Sequence, residues 1–144
     1  MSSIKKIIII LILLSPAVLF AQTVFYVSPK GNDANRGTQI KPFASIGKAM
    51  AEVRKTSGPV VIYLLKGTYY LKSPVVFTSG DSRKENEPLT ITNVENQKAI
   101  ISGGAPLQNL KWKKYKNGIW QTTIHEDLIF DELFVNGQLQ RMAR

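Results

Sequence analysis

The chain has 144 residues, 44% of them hydrophobic, no cysteine and a formal net charge of +9. That size suits one domain of ordinary dimensions, and that apolar content argues against wholesale disorder. The missing thiols exclude disulfides, thiol catalysis, cysteine-based zinc sites and a lipid anchor on a cysteine near a cleavage site.

At the N-terminus, Lys5 and Lys6 precede an unbroken apolar run from Ile7 to Leu14, and Ser15-Pro16 breaks it. Small or apolar residues then lead to Ala21-Gln22. This is the order of a secretory signal peptide over residues 1–21, cut after Ala21. The apolar stretch is shorter than the ~20 residues of a spanning helix. The mature chain is therefore expected to be secreted or periplasmic, with no stable membrane insertion after cleavage. Loss of Lys5 and Lys6 lowers the charge from +9 to +7. A basic surface favours anionic partners such as acidic polysaccharides, lipid headgroups or nucleic acid, and for an exported protein nucleic acid is the least natural. The competing reading is a lysine-rich, solvated surface.

Val24 to Val27 is β-branched and aromatic, which predicts a strand. Residues 29–42, rich in Gly, Asn, Asp and Pro, predict a loop. Phe43, Ile46, Met50 and Val53 recur at helical spacing around Ala49, with Ser45 placed as N-cap. This predicts an amphipathic helix over 46–56, ending by Gly58-Pro59. The unalternating run Val60 to Leu65 predicts a strand buried on both faces, as in a parallel sheet. Lys66-Gly67-Thr68 is expected to turn the chain, and Tyr69 to Leu71 to resume extended structure. Further strands are predicted at Val75–Phe77, Leu89–Thr92 and Ala99–Ser102, with a polar loop over 79–88 and Gly103-Gly104 as terminator. Short strands after a single helix fit an antiparallel sandwich or a coiled β-solenoid. A solenoid needs a cap on its end coil, and the helix lies where a cap belongs.

Residues 105–144 carry Asn-Gly twice between extended segments, at Asn117-Gly118 and Asn136-Gly137, which predicts antiparallel hairpins. With two-residue turns, Tyr115 would face Trp120, Phe134 would face Leu139 and Glu132 would face Arg141.

Taken together, FYVSPKGNDANRGTQIKPFASIGKA resembles the opening of secreted right-handed parallel β-helix proteins of the pectate-lyase-like class. VVIYLLKGTYYL and AIISGG are similar to their first-coil strands, and DELFVNGQLQRMAR to a segment of some β-helix glycoside hydrolases of bacterial polysaccharide degraders. The resemblance implies a mainly β fold: the start of a right-handed parallel β-helix with a short N-terminal capping helix and an antiparallel hairpin module. It divides the chain into a signal peptide (1–21), cap and first coils (22–104) and hairpin module (105–144). It further implies a polysaccharide or oligosaccharide partner, acidic ones included, and a glycoside hydrolase more than a lyase. Related chains enter their main run of coils where this one stops at Arg144, so it reads as truncated. Its product 22–144 is expected to be poorly soluble or dimeric through an open end, and no family catalytic residue finds a matching position.

The chemistry-bearing motifs are few. Gly31 to Asn35 offers oxygen ligands for calcium, but lacks the alternating acids and closing glutamate of a calcium loop, so a self-satisfied turn is the expectation and no cofactor is assigned. Lys111 to Lys116 interleaves lysines with Trp112 and Tyr115. Together with Trp120, Arg141 and Arg144 these are the candidate carbohydrate-binding residues, since aromatic faces stack on sugar rings and arginines bind carboxylates or hydroxyls. The simpler roles are packing for the rings and a cross-strand ion pair for Arg141. His125 has no positioned partner. Glu126, Asp127, Asp131 and Glu132 could include a glycosidase carboxylate pair, but nearness in sequence does not set the carboxyl separation such a pair requires. No nucleophile elbow, phosphate loop or His-Glu-x-x-His pattern occurs. The leading expectation is the N-terminal segment of an exported polysaccharide-active enzyme, without a complete active site. The alternatives are a non-catalytic glycan-binding or adhesion β-helix protein, and a small self-contained β-protein with a basic binding face.

Overall fold

The computed structural model describes residues 22–124, 128 and 131–141. The expected signal peptide, His125, Glu126, Asp127 and Arg144 lie outside them. The chain divides into two compact units, with the boundary between Gly104 and Ala105. The described residues are mainly β, with one α-helix.

In the first unit, β1 (Thr23–Val27), β2 (Val60–Leu64) and β4 (Leu89–Asn93) form a parallel sheet in that order. A second parallel pair joins β3 (Gly67–Tyr70) to β5 (Ala99–Ser102). The central strand β2 is the unalternating apolar run. Val60, Val61, Ile62 and Leu64 are all buried, as neighbours on both sides demand. In-register stacking places Phe25 beside Ile62 and Ile62 beside Ile91, so like meets like along the interior. Tyr26 and Tyr63 pair in the same way, with rings stacked 5.4 Å apart.

The chain passes from the first sheet to the second twice by short corners. Only Leu65 and Lys66 separate β2 from β3, so Gly67 and Thr68, expected in the turn, belong to the strand. Gly67 has φ 146°, and a Cβ there would press on the Pro29 ring, so glycine permits the sharp corner. The next corner, between β4 and β5, stacks on the first: Lys66 N–H donates to Gln97 Oε1 at 2.8 Å.

Helix α1 (Ile46–Val53) begins where Ser45 Oγ accepts the Lys48 N–H at 3.1 Å, as expected of an N-cap. It is shorter than the predicted 46–56. After Arg54 the chain closes in a looser turn, in which the Thr56 hydroxyl donates to the Glu52 and Val53 carbonyls. Its buried face, Ile46, Ala49, Met50 and Val53, packs in one cluster with Val27, Phe43, Val60, Ile62, Leu64 and Tyr69, on the β1 side of the sheet. Full burial of side chains such as Phe43 and Ile62 contributes about 1.5–3 kcal/mol each.

The strand predicted at Val75–Phe77 does not form. Val76 and Phe77 are exposed, and the Val76 carbonyl accepts from Arg54 Nη2 at 3.1 Å instead of from a neighbouring strand. A 3₁₀ turn (Ser79–Asp81) follows.

The second unit contains two antiparallel hairpins, β6–β7 (Lys113–Lys114, Trp120–Gln121) and β8–β9 (Leu133–Val135, Gln138–Gln140). Asn117, Gly118, Asn136 and Gly137 all take positive φ, between 51° and 78°, which is why Asn-Gly occupies both turns. None of the described residues of this unit is buried. Among the described residues, no helix is long and apolar enough to cross a membrane.

Candidate functional site

The first hairpin gathers three of the sequence-predicted residues. Ile119 N–H donates to Lys116 O, closing the turn over Asn117 and Gly118. The next bond runs from Tyr115 N–H to Ile119 O at 2.8 Å, leaving an extra residue on the first strand. This bulge shifts the register by one, so Trp120 faces Lys114 and not Tyr115. The expected Tyr115–Trp120 pair is thereby corrected. In its place Lys114 Nζ lies 5.6 Å from the Trp120 ring centre, and Lys116 Nζ 5.3 Å from that of Tyr115. Each exposed cation–ring contact is worth about 0.5–1 kcal/mol. Trp112, Tyr115 and Trp120 are 57%, 56% and 53% exposed, which sets aside the packing role that sequence patterning favoured for them.

The hairpin has two unlike faces, because paired residues share a face and successive ones alternate. Lys114 and Trp120 take one face; Lys113 and Gln121 take the other. A cleft of about 700 Å³ is lined by Lys113 and Gln121, by Lys111 and by Asn109, among other residues of 106–124. Thr122 also lines it, and its hydroxyl is secluded from solvent without a hydrogen-bond partner. Lys111, Lys113, Lys114 and Lys116 are the only charged residues between 105 and 124. None of them enters an ion pair among the described residues.

The second hairpin keeps the expected two-residue register, with Phe134 opposite Leu139. Its ladder ends at Leu133 opposite Gln140, one position short of Glu132 and Arg141, and no ion pair joins those two among the described residues. Arg141, Asp131 and Glu132 are exposed. The structure thus brings Trp112, Tyr115 and Trp120 onto one hairpin and leaves Arg141 at the foot of the other.

The polar clusters of the first unit are structural in geometry. Asp33 Oδ1 accepts from the Ala44 and Ser45 N–H groups at 2.8 and 2.9 Å, and Oδ2 from the Ser45 hydroxyl at 2.7 Å. Loss of hydration acts to raise its carboxyl. The Ser45 hydroxyl, the Ser45 and Ala44 N–H groups and nearby Lys48 outweigh this and hold it below the usual range. This acid therefore ties the Gly31–Asn35 loop to the start of α1, and its oxygens are engaged by the chain itself. Among the described residues, no group of three or more acids or histidines is placed to hold a metal.

Asp81 takes a bidentate pair from Arg54, with Nε at 2.6 Å and Nη2 at 3.0 Å, while the Thr78 N–H donates to it at 2.7 Å. Arg54 and the Thr78 N–H hold its carboxyl well below the usual range. The Tyr69 hydroxyl lies 2.8 Å from Val27 O and 2.7 Å from Leu65 O, its one proton serving the two carbonyls. Burial pushes it up to about 12, partly offset by Leu65. Sequence reading missed these three clusters. Only Thr78-x-x-Asp81 left a local signal, the pattern of a side chain reaching back over a turn.

No family model matches the chain. A protein of Bacillus subtilis (strain 168), the uncharacterized protein YwoF, is 35% identical over 78 residues, covering 54% of this chain and 15% of that protein. Among solved structures, a glycoside hydrolase superposes with TM-score 0.67 and 30% identity over 81% of this chain and 21% of that one. XylC in complex with xylose superposes with TM-score 0.50 and 21% identity over 68% of this chain and 14% of that one, a likeness of fold. The chain thus spans about a fifth or less of the length of each of these proteins. Its structural neighbours include a glycoside hydrolase, which relates it to carbohydrate-active proteins.

Proposed function

We propose that this chain is the N-terminal segment of an exported, polysaccharide-active parallel β-helix protein, more nearly a glycoside hydrolase than a lyase. The observation that carries the reading is the superposition of 81% of the chain on a glycoside hydrolase at 30% identity. Two features support it independently. The strands stack parallel and in register in two sheets, with corner on corner, as successive coils of a β-helix would. The helix covers the β1 side of the first sheet, where an end cap belongs.

In this reading residues 22–104 supply cap and first coils, and residues 105–144 a hairpin module. Trp112, Tyr115 and Trp120 offer exposed rings for sugar stacking, Arg141 and Arg144 offer cations, and the catalytic acids belong to later coils. Residues 1–21 direct export. The non-catalytic alternative, a glycan-binding or adhesion protein, rests on the same fold with the exposed hairpin as its working surface.

The test compares this chain with the whole product of its gene on neutral and acidic polysaccharides. New reducing ends without unsaturated uronates are expected from the whole product, and retention without cleavage from the 144-residue chain. Unsaturated products would transfer the protein to the lyases, and retention without any cleavage would favour the binding alternative. Neither retention nor cleavage on any polysaccharide would overturn the reading.

A further inference from the structure

We infer that the cleft on the Lys113 side of the first hairpin binds an anionic glycan, with Lys111 and Lys113 meeting its acidic groups. This rests on the carbohydrate reading above and names the substrate class for it. Three observations converge on the cleft. Its volume, about 700 Å³, is that of a small-ligand site. Its lining combines two lysines with the amides of Gln108, Asn109 and Gln121 and the hydroxyl of Thr123, a set that donates to carboxylates or sulfates and exchanges hydrogen bonds with sugar hydroxyls. Its charge has one sign, because residues 105–124 contain four lysines and no acid.

Those lysines are not consumed by the fold. Lys114 and Lys116 rest over aromatic rings, while Lys111 and Lys113 have neither ring nor carboxylate partner among the described residues. The contrast with the first unit is direct, where Lys48, Lys55 and Arg54 are all paired with acids. An uncompensated pair of ammonium groups at a polar cleft is complementary to a chain of regularly spaced anions. A neutral glycan would leave both charges unused. Lys41, an exposed lysine of the first unit that does not line the cleft, serves as an internal control.

The experiment is affinity electrophoresis of the full chain in gels containing polygalacturonate, dextran sulfate or neutral xylan. Lys111→Gln/Lys113→Gln is compared with Lys41→Gln, and single-stranded DNA is the competing polyanion. The expected result is retardation by an acidic polysaccharide that the double variant weakens about tenfold and added salt weakens further. Lys41→Gln is expected to change it less than twofold. Retardation by polygalacturonate identifies carboxylates as the recognised group, and by dextran sulfate alone, sulfates. Equal retardation by xylan and by the acidic polymers, unchanged in the double variant, would overturn this inference while leaving the carbohydrate reading intact. Displacement by DNA at equal concentration would overturn it as well, since polycation attraction alone would then account for the binding. No retardation in any gel would overturn this inference too, and cleavage of a polysaccharide by the whole gene product would then still uphold the carbohydrate reading.

Discussion

The two units use the same sequence devices with opposite results. In residues 22–104 strands stack on strands far away in the chain and a helix closes over them, so Val27, Val60 and Ile62 lose all contact with water. Among the described residues of 105–141 each strand pairs with its neighbour across a tight turn. Large apolar side chains such as Ile119, Trp120, Phe134 and Leu139 stay half exposed. Turn chemistry fixes the shape of a hairpin, but a two-stranded ribbon has too little surface to bury its own rings and is marginal alone. The first unit thus buries a core of its own, and the second leaves its large apolar side chains half exposed.

The largest expected effects lie in the core of the first unit. Phe43→Ala should lower stability by about 3–5 kcal/mol and Ile62→Ala by about 2–5 kcal/mol, read as a fall in the urea midpoint of the full chain. Gly37→Ala joins this group for a double reason: φ is +72°, and a Cβ would overlap the Phe43 ring. A smaller loss is expected when Asp81→Asn removes the charge that Arg54 clasps across 27 positions of sequence, seen as a lower melting temperature.

The pH dependence follows from the same contacts. Asp33 and Asp81 both sit below their ordinary range when folded, so their contribution is complete above about pH 4 and is lost as pH falls through the lowered values. Tyr69 acts at the other end. Raised from 10.0 to about 12, it stabilises fully below pH 10 and ceases to as pH climbs through 12. A pH series of melting temperatures should show both limbs, and Tyr69→Phe should flatten the alkaline one. Smallest of all, Trp120→Ala should lower stability by no more than about 1 kcal/mol, the worth of its exposed contact with Lys114. A core-sized loss there would dissolve the distinction between the two units.

Much of this was legible in the residues because it is local. The apolar run at Val60–Leu65 announces a strand with neighbours on both faces, Ser45 a helix start, and Asn136-Gly137 the register of its hairpin. What escaped was long-range or a matter of one residue. Val75–Phe77 has strand composition, but Arg54 takes the Val76 carbonyl and no partner strand takes up the segment. The first hairpin carries the same Asn-Gly signal as the second, yet the extra residue on its first strand moves Trp120 from Tyr115 to Lys114. Asp33 reads as a loop residue until the fold brings Ala44 and Ser45 onto it. The cleft left only an indirect trace, a run of lysines without acids.

Hydrogen exchange of the full chain, with and without polygalacturonate, tests both halves of the account at once. The amides of Val60–Leu64, held between β1 and β4, should exchange only through global unfolding, and those of the first hairpin much faster. Adding the polyuronate should slow exchange within 105–124 and leave 22–104 unchanged. Protection gained in the first unit, or hairpin amides already as slow as those of β2 without ligand, would contradict the division of labour proposed here.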